Sequence, residues 1–240
     1  MRNSLIVITP HQGLGDHLIC LGIYRYYSTH YKKVLILVKK SYYAELSNLF
    51  KHTRNVTFIK IPAKRGWTIT RIIQFFSKLF RIRTLGLGTY GENFFIPNIR
   101  FDHNFYLQAG VPFEERWNNF FYERDLIKEE RLYLELDCQS QKYIFLHEDE
   151  RRGMIIERSL IPSGLRVIKV SVKSTEYNLV DYRKVIENAS AIHVIESAFA
   201  AFIECLPLNV PLFAHRYARP EAKNDFRHEF TYKKPWKIIH

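Results

Sequence analysis

The chain is 240 residues long, 47% apolar and 25% charged, which suits one globular domain or two small ones and excludes a disordered or fibrous protein. No stretch approaches the roughly 18 consecutive apolar residues of a membrane span, and Met1 to Pro10 lacks the long apolar core of a secretory signal, so a cytoplasmic protein is expected. The formal charge of +12 points to anionic company: a phosphorylated small molecule, nucleic acid or an acidic membrane surface.

The apolar run Leu5 to Ile8 predicts a strand. It leads into His11-Gln12-Gly13-Leu14-Gly15-Asp16-His17 and then into a helix over Asp16 to Ser28. A strand, a glycine turn and a helix put backbone N–H groups and one carboxylate at the carboxyl edge of a sheet, where open α/β folds hold ligands. Gly13 and Gly15 are expected to allow positive φ and close approach. Asp16 either caps the helix or faces the ligand. Val34 to Val38 has the continuous apolar character of a strand buried on both faces and should lie beside the first. A short helix from Ser41 to Phe50 and a third strand from Val56 to Ile61, ended by Pro62, extend a parallel sheet with right-handed crossovers.

From Trp67 to Phe80, Ile69, Ile72, Ile73, Phe76, Leu79 and Phe80 recur at helical spacing, with Lys64, Arg65, Arg71, Lys78, Arg81 and Arg83 around them. The expected arrangement sets the apolar stripe on the sheet and the cations in solvent. The alternative is a basic amphipathic surface resting on an anionic membrane, kept open by Phe75, which lies off the stripe. Leu85-Gly86-Leu87-Gly88-Thr89-Tyr90-Gly91 reads as a glycine-rich connection after a strand, running into Phe94-Phe95-Ile96-Pro97. Phe101 to Leu136 is helical, broken at Gly110-Val111-Pro112. Its acids Glu114, Glu115, Glu123, Glu129, Glu130 and Glu135 are spread as a solvated face, without an Asp-x-Asp metal motif. The polar stretch from Gln139 to Lys142 marks the expected boundary between domains 1–138 and 139–240.

Beyond it the alternation starts afresh, with strands at Tyr143 to Leu146, Val167 to Val170, Ala191 to Ile195 and Pro211 to Ala214. Helices are expected over Asp181 to Asn188 and Ser197 to Leu206, and the tail from Arg219 to His240 is expected to pack back across the two halves. His147-Glu148-Asp149-Glu150-Arg151-Arg152-Gly153 leaves the first of these strands, and its arginines offer a rigid fork of donors to phosphate oxygens or neutralise the acids beside them. A metal is not expected from three adjacent loop residues. Glu196-Ser197-Ala198 leaves a later strand and opens a helix. Ser197 is a natural cap, the free amides of the first turn suit a diphosphate, and Glu196 suits a ribose or sugar hydroxyl. Cys20, Cys138 and Cys205 are widely separated, without Cys-x-x-Cys or Cys/His ligand spacing, and read as buried thiols.

These residues together resemble the GT-B class of nucleotide-sugar-dependent glycosyltransferases, closest to the heptosyltransferase-like branch and its small bacterial and viral relatives. The resemblance rests on Gly13-Leu14-Gly15-Asp16 after the first strand, on Glu196-Ser197-Ala198 followed by Val210-Pro211-Leu212-Phe213, and on the stretch from Phe105 through Arg116 and Arg124 to His147 and Arg152. Ala198 stands where the family usually has glycine, and Ala201 where a histidine is common. The resemblance implies two Rossmann-like α/β halves with a nucleotide-sugar cleft between them, the first half taking the acceptor. It implies an inverting, hexosyl- or heptosyl-type transfer without metal or other cofactor, with Asp16 as general base and His11 or His17 as alternative bases. Gly13, Leu14, Gly15 and His17 would contact substrate, and His147, Arg151, Arg152, Lys169, Glu196, Ser197 and Ala198 the nucleotide.

The expected partners are a nucleotide sugar and a glycan acceptor, with peripheral contact to an anionic membrane and no nucleic acid, since no nucleic-acid module is recognisable. A non-catalytic nucleotide-sugar or polyanion binding module is the alternative on the same fold. A Rossmann dehydrogenase is disfavoured: the third glycine of the dinucleotide fingerprint is missing, and Lys39 and Lys40 stand where a ribose-binding acid would end the second strand.

Overall fold

A computed structural model describes residues 3–62, 64, 66–88, 96, 98–170, 176–219 and 225–240. Arg65, the side chain of Trp67, and Thr89, Tyr90, Gly91, Phe94, Phe95 and Pro97, all named above, lie outside the described residues. The chain divides into two compact units, Met1–Tyr122 and Glu123–His240.

The first unit runs β1 (Asn3–Thr9), α1 (Leu14–Ile19), α2 (Leu21–His30), β2 (Tyr31–Lys39), α3 (Tyr43–Leu49), β3 (Val56–Ile61), α4 (Gly66–Leu79), β4 (Arg83–Gly86), α5 (Phe101–Ala109) and α6 (Glu115–Asn118). Its sheet has the order β3-β2-β1-β4 with every pair parallel. Successive crossovers go to one side of β1 and then to the other, so strand order reverses beside it. That is the position at which an open α/β sheet leaves a crevice at its carboxyl edge. Fully buried Ile6 and Ile8, with Val34 and Ile36 on the neighbouring strand, explain the unbroken apolar character of both runs.

The single helix expected over 16–28 is two. The chain bends at Cys20 (φ −80°, ψ 1°), and α2 starts afresh. A Cβ on Gly22 would collide with the Glu115 carbonyl and the Tyr106 hydroxyl, so α2 meets α6 backbone to backbone there. Gly110 ends α5 in the left-handed region (φ 63°), which accounts for the break at Gly110-Val111-Pro112. Buried Arg116 pairs with buried Asp102 at 2.5 Å and locks α6 to α5.

The largest departure in this unit is α4. Its apolar stripe was expected to lie on the sheet, yet of that stripe Ile69 and Ile73 are half-buried while Ile72, Phe76, Leu79 and Phe80 are exposed, and Thr70 and Ser77 are buried.

The second unit runs α7 (Leu126–Glu135), β5 (Tyr143–His147), β6 (Arg166–Val170), α8 (Arg183–Glu187), β7 (Ala191–Val194), α9 (Ala198–Glu204), β8 (Leu212–His215) and β9 (Trp236–Ile239). Its sheet order is β6-β5-β7-β8-β9, again all parallel, with the reversal between β5 and β7. The polar stretch 139–142 lies inside this unit, because α7 is bound to α8. Arg124 pairs with both Glu129 and Glu187, and Lys184 pairs with Glu130. Glu129 is therefore buried rather than part of a solvated face.

The tail supplies a strand that the sequence reading did not include. β9 pairs with β8 from Leu212↔Trp236 to His215↔Ile239. Before it, the Lys233 N–H and the Trp236 Nε1–H both donate to Glu204 at 2.7 Å. These contacts fasten the tail to the second unit's own sheet. Cys20 and Cys138 are buried as expected, and Cys205 is partly exposed.

Candidate active site

In the first unit the loop after β1 folds one carboxylate back on itself. The Gly13 N–H donates to Asp16 Oδ2 at 3.1 Å, and the His11 Nδ1–H donates to the same oxygen at 2.5 Å. Gly13 is extended (φ −86°, ψ 147°), and neither it nor Gly15 has positive φ, contrary to expectation. Glycine is needed at 13 for a different reason: a Cβ there would sit on the Asp16 carboxylate.

The His11 and Asp16 side chains are 33% and 18% exposed, so the pair reaches solvent at the carboxyl edge of the central strand. Burial pulls His11 towards neutrality, but the hydrogen bond and the charge of Asp16 outweigh it and Lys39 together, leaving its pKa above the ordinary 6.5. Gly88, just past β4, belongs to the same corner: it has φ +64°, and a Cβ on it would meet the Phe105 ring and the His11 Cβ. The sequence reading saw only a connection there. The glycine spacing was the available signal, and nothing in it named His11 as the neighbour.

His17 and Leu14 do not join this edge. His17 is completely buried, shares a 2.9 Å hydrogen bond with the Tyr24 hydroxyl, and lies in a core where Tyr24 packs on Phe50 and Phe58. Burial drives its pKa down to about 3, so it is neutral at physiological pH and serves as packing, not as a substrate contact or alternative base. The Leu14 side chain is likewise buried, leaving only its backbone to a ligand, while Gly15 is half-buried.

In the second unit the loops after β5 and β7 flank the strand-order reversal. Several predicted ligand contacts are committed elsewhere. The buried His147 donates through Nδ1 to the Val170 carbonyl at 3.1 Å and packs on Phe199, and burial takes its pKa to about 4 despite that bond. It joins β5 to β6 rather than facing a nucleotide. Lys169 is bound to Glu148 at 2.9 Å and to Glu150.

Glu148, one acid among several in the loop sequence, organises this corner. It accepts from both Arg158 Nη groups at 2.6 and 2.9 Å and from the Ile156 N–H at 2.9 Å. Burial opposes its charge, but Arg158, Ile156 and Lys169 outweigh burial and bring its pKa to about 2. Arg152 is exposed and oriented by a 2.7 Å bond from Nε to Asp149, which leaves both Nη groups outside that bond. Arg151 is exposed and makes no ion pair among the described residues.

Glu196 is also turned inward. Its Oε1 accepts from Arg216 at 3.0 Å, from the Tyr232 hydroxyl at 3.1 Å and from the Phe230 N–H at 3.3 Å, and the side chain is buried beneath the tail. The expected ribose contact is thus replaced by an anchor for Arg216, Phe230 and Tyr232. Ser197 stands at the N-cap of α9 with extended backbone, but its hydroxyl makes no capping bond. Ser197 and Ala198 remain half-buried at the carboxyl end of β7. Behind them, His193 Nδ1 and His215 Nε2 lie 2.9 Å apart in the interior, and burial holds both near pKa 4.

No protein-family model and no curated protein matches the chain by sequence. Solved structures do match in fold. The glycosyl transferase family 9 protein from Veillonella parvula DSM 2008 superposes with a TM-score of 0.51 at 11% identity, over 89% of this chain and 81% of that one. The iron-containing dodecameric glycosyltransferase TibC from enterotoxigenic E. coli H10407 superposes with a TM-score of 0.51 at 12% identity, over 100% of this chain and 63% of that one. A second TibC structure, a heptosyltransferase complex with ADP-D-beta-D-heptose, gives a TM-score of 0.50 at 12% identity over the same shares. For the iron that TibC holds, the donor set here does not fit: among the described residues no three His, Cys, Asp or Glu side chains are grouped to bind a metal. With two parallel α/β sheets in these orders, the chain has the heptosyltransferase-like GT-B fold.

Proposed function

We propose that the chain is an inverting glycosyltransferase that moves a sugar from a nucleoside-diphosphate donor to an acceptor hydroxyl without a metal, with Asp16 as general base. The observation that carries this reading is the His11–Asp16 pair, partly open to solvent at the switch point of the first sheet. Both described bonds to the carboxylate fall on Oδ2. Oδ1 is therefore left to take the acceptor proton, while His11 and the Gly13 N–H fix the carboxylate's direction.

The acceptor oxygen, losing its proton to Asp16, forms a bond to the anomeric carbon. The bond from that carbon to the diphosphate breaks on the opposite face, and the nucleoside diphosphate departs with the electron pair. General-base assistance of this kind contributes about 10²–10⁴ in rate. Donor binding is assigned to the second unit, to the Nη groups of Arg152, to Arg151 and to the backbone at Ser197 and Ala198. Positive charge there would stabilise the leaving diphosphate. The TibC complex makes an ADP-sugar the first donor to try.

The alternative on the same fold is a non-catalytic nucleotide-sugar module. Lys169 and Glu196, two groups expected to serve the donor, are engaged within the second unit and bear equally on both readings. The deciding experiment measures ADP release from ADP-heptose with a panel of glycan acceptors, alongside thermal shift with ADP, for the wild type and Asp16→Asn. The expected result is an unchanged ADP shift with transfer reduced about 10²–10⁴-fold. Equal turnover in the variant removes Asp16 from the chemistry. An ADP shift with no transfer by the wild type supports the binding module.

A further inference from the structure

Helix α4 turns most of its large apolar side chains outward, Ile69 and Ile73 being half-buried. Thr70 and Ser77 are buried, and Gln74, spaced a turn from each on the same face, donates through Nε2 to Thr9 Oγ1 at the end of β1 at 3.0 Å. Ile72, Phe75, Phe76, Leu79 and Phe80, on the helix and the turn after it, are 48–68% exposed. The Phe75 and Phe76 rings pack edge to face at 5.7 Å, forming a contiguous aromatic surface rather than scattered apolar tips.

The charge around this surface has one sign. From Leu46 to Gly91 the sequence holds nine Lys and Arg and no Asp or Glu. Lys64, Arg71, Lys78 and Arg81 are exposed on or beside the helix. A symmetric contact with a second copy would bring these cations face to face, a like-charge arrangement that interfaces disfavour. A lipid interface with anionic headgroups takes both features at once: aromatic and aliphatic side chains enter the acyl boundary while lysines and arginines meet phosphates.

We propose that α4 and the turn through Arg81 dock flat on an anionic lipid surface. The helix lies on the bilayer rather than through it, since among the described residues no helix is long and apolar enough to cross.

The test is sedimentation of the full chain with vesicles of phosphatidylcholine alone, and with vesicles of two parts phosphatidylcholine to one part phosphatidylglycerol. The wild type is expected to pellet with the anionic vesicles and hardly with the neutral ones, and to be released as salt rises. Phe75→Ser/Phe76→Ser/Leu79→Ser removes exposed apolar surface and should lower partitioning at least about tenfold. Lys64→Glu/Lys78→Glu, made on exposed cations outside the packed face, should lower it about tenfold or more and weaken the salt dependence. Thermal melts of both variants that match the wild type separate lost docking from lost folding. The proposal is overturned by a wild type that ignores anionic vesicles, by equal binding to neutral ones, or by undiminished binding in both variants. A dimer that the serine variant dissociates, with no vesicle binding, would instead make the stripe a contact between copies.

Discussion

The two carboxyl edges follow one βα plan but carry charge differently. After β1, a single carboxylate and a histidine remain partly exposed and bound to each other. After β5 and β7, the acids Glu148 and Glu196 are buried under several donors apiece, and among the described residues of the loop after β5, Arg151 and the outer nitrogens of Arg152 make no bond to a carboxylate. A switch point positions groups, but neighbouring elements decide which of them face a ligand and which hold the fold together. In the reading proposed above, proton chemistry falls to the first edge and donor binding to the second.

The largest effect that would break this contrast is the loss of transfer in Asp16→Asn described above, about 10²–10⁴-fold with little change in stability. If Glu196 is an anchor, Glu196→Ala should show the opposite profile. Arg216 would keep Glu229 at 3.0 Å but lose its other carboxylate, and the Phe230 N–H and Tyr232 hydroxyl would lose their acceptor. A destabilisation of about 2–4 kcal/mol in urea titrations is expected. A variant as stable as the wild type would return Glu196 to the list of ligand groups.

Acid titration sharpens the comparison further. Glu148 falls from an ordinary 4.5 to about 2 on folding, so its contribution is fully present above about 4.5 and disappears as pH drops towards 2. Glu148→Gln should flatten that limb of the acid-unfolding curve, and an unchanged limb would place the acid sensitivity elsewhere.

The smallest effect belongs to His11, whose sign is opposite. Its raised value means that its contribution is complete below about 6.5 and lost as pH climbs through the folded value. At this exposure the pair is worth about 0.5 kcal/mol. Proton NMR should show His11 titrating above 6.5 in the wild type and lower in Asp16→Asn. Identical titration in both would mean that the two side chains are not paired in solution.

Much of the backbone plan could be read in advance. Val56 to Ile61 is a strand to the residue, Val34 to Val38 forms the middle of β2 beside β1, and Gly110 stops α5. The glycine loop was placed correctly after β1, but α1 starts at Leu14, and Asp16 lies inside it and accepts from the preceding Gly13 N–H, not from the amides that follow. The partners of that acid's counterpart loops were less accessible. Glu148 and Arg158 are ten residues apart, Glu196 and Tyr232 thirty-six, and no local pattern distinguishes an acid that meets a buried donor from one that meets water.

The sequence by itself determined the alternation of strands and helices, the doubled α/β plan and the basic character of the region around α4, because period, capping and charge are properties of neighbouring residues. Only the tertiary structure decided that α4 turns Thr70 and Ser77 inward and Phe75 and Phe76 outward, that His17 and His147 are core groups, and that the tail joins the second sheet as β9. An amphipathic pattern fixes that a helix has two faces. Which face is inward depends on what the sheet offers it, here the Thr9 hydroxyl to Gln74.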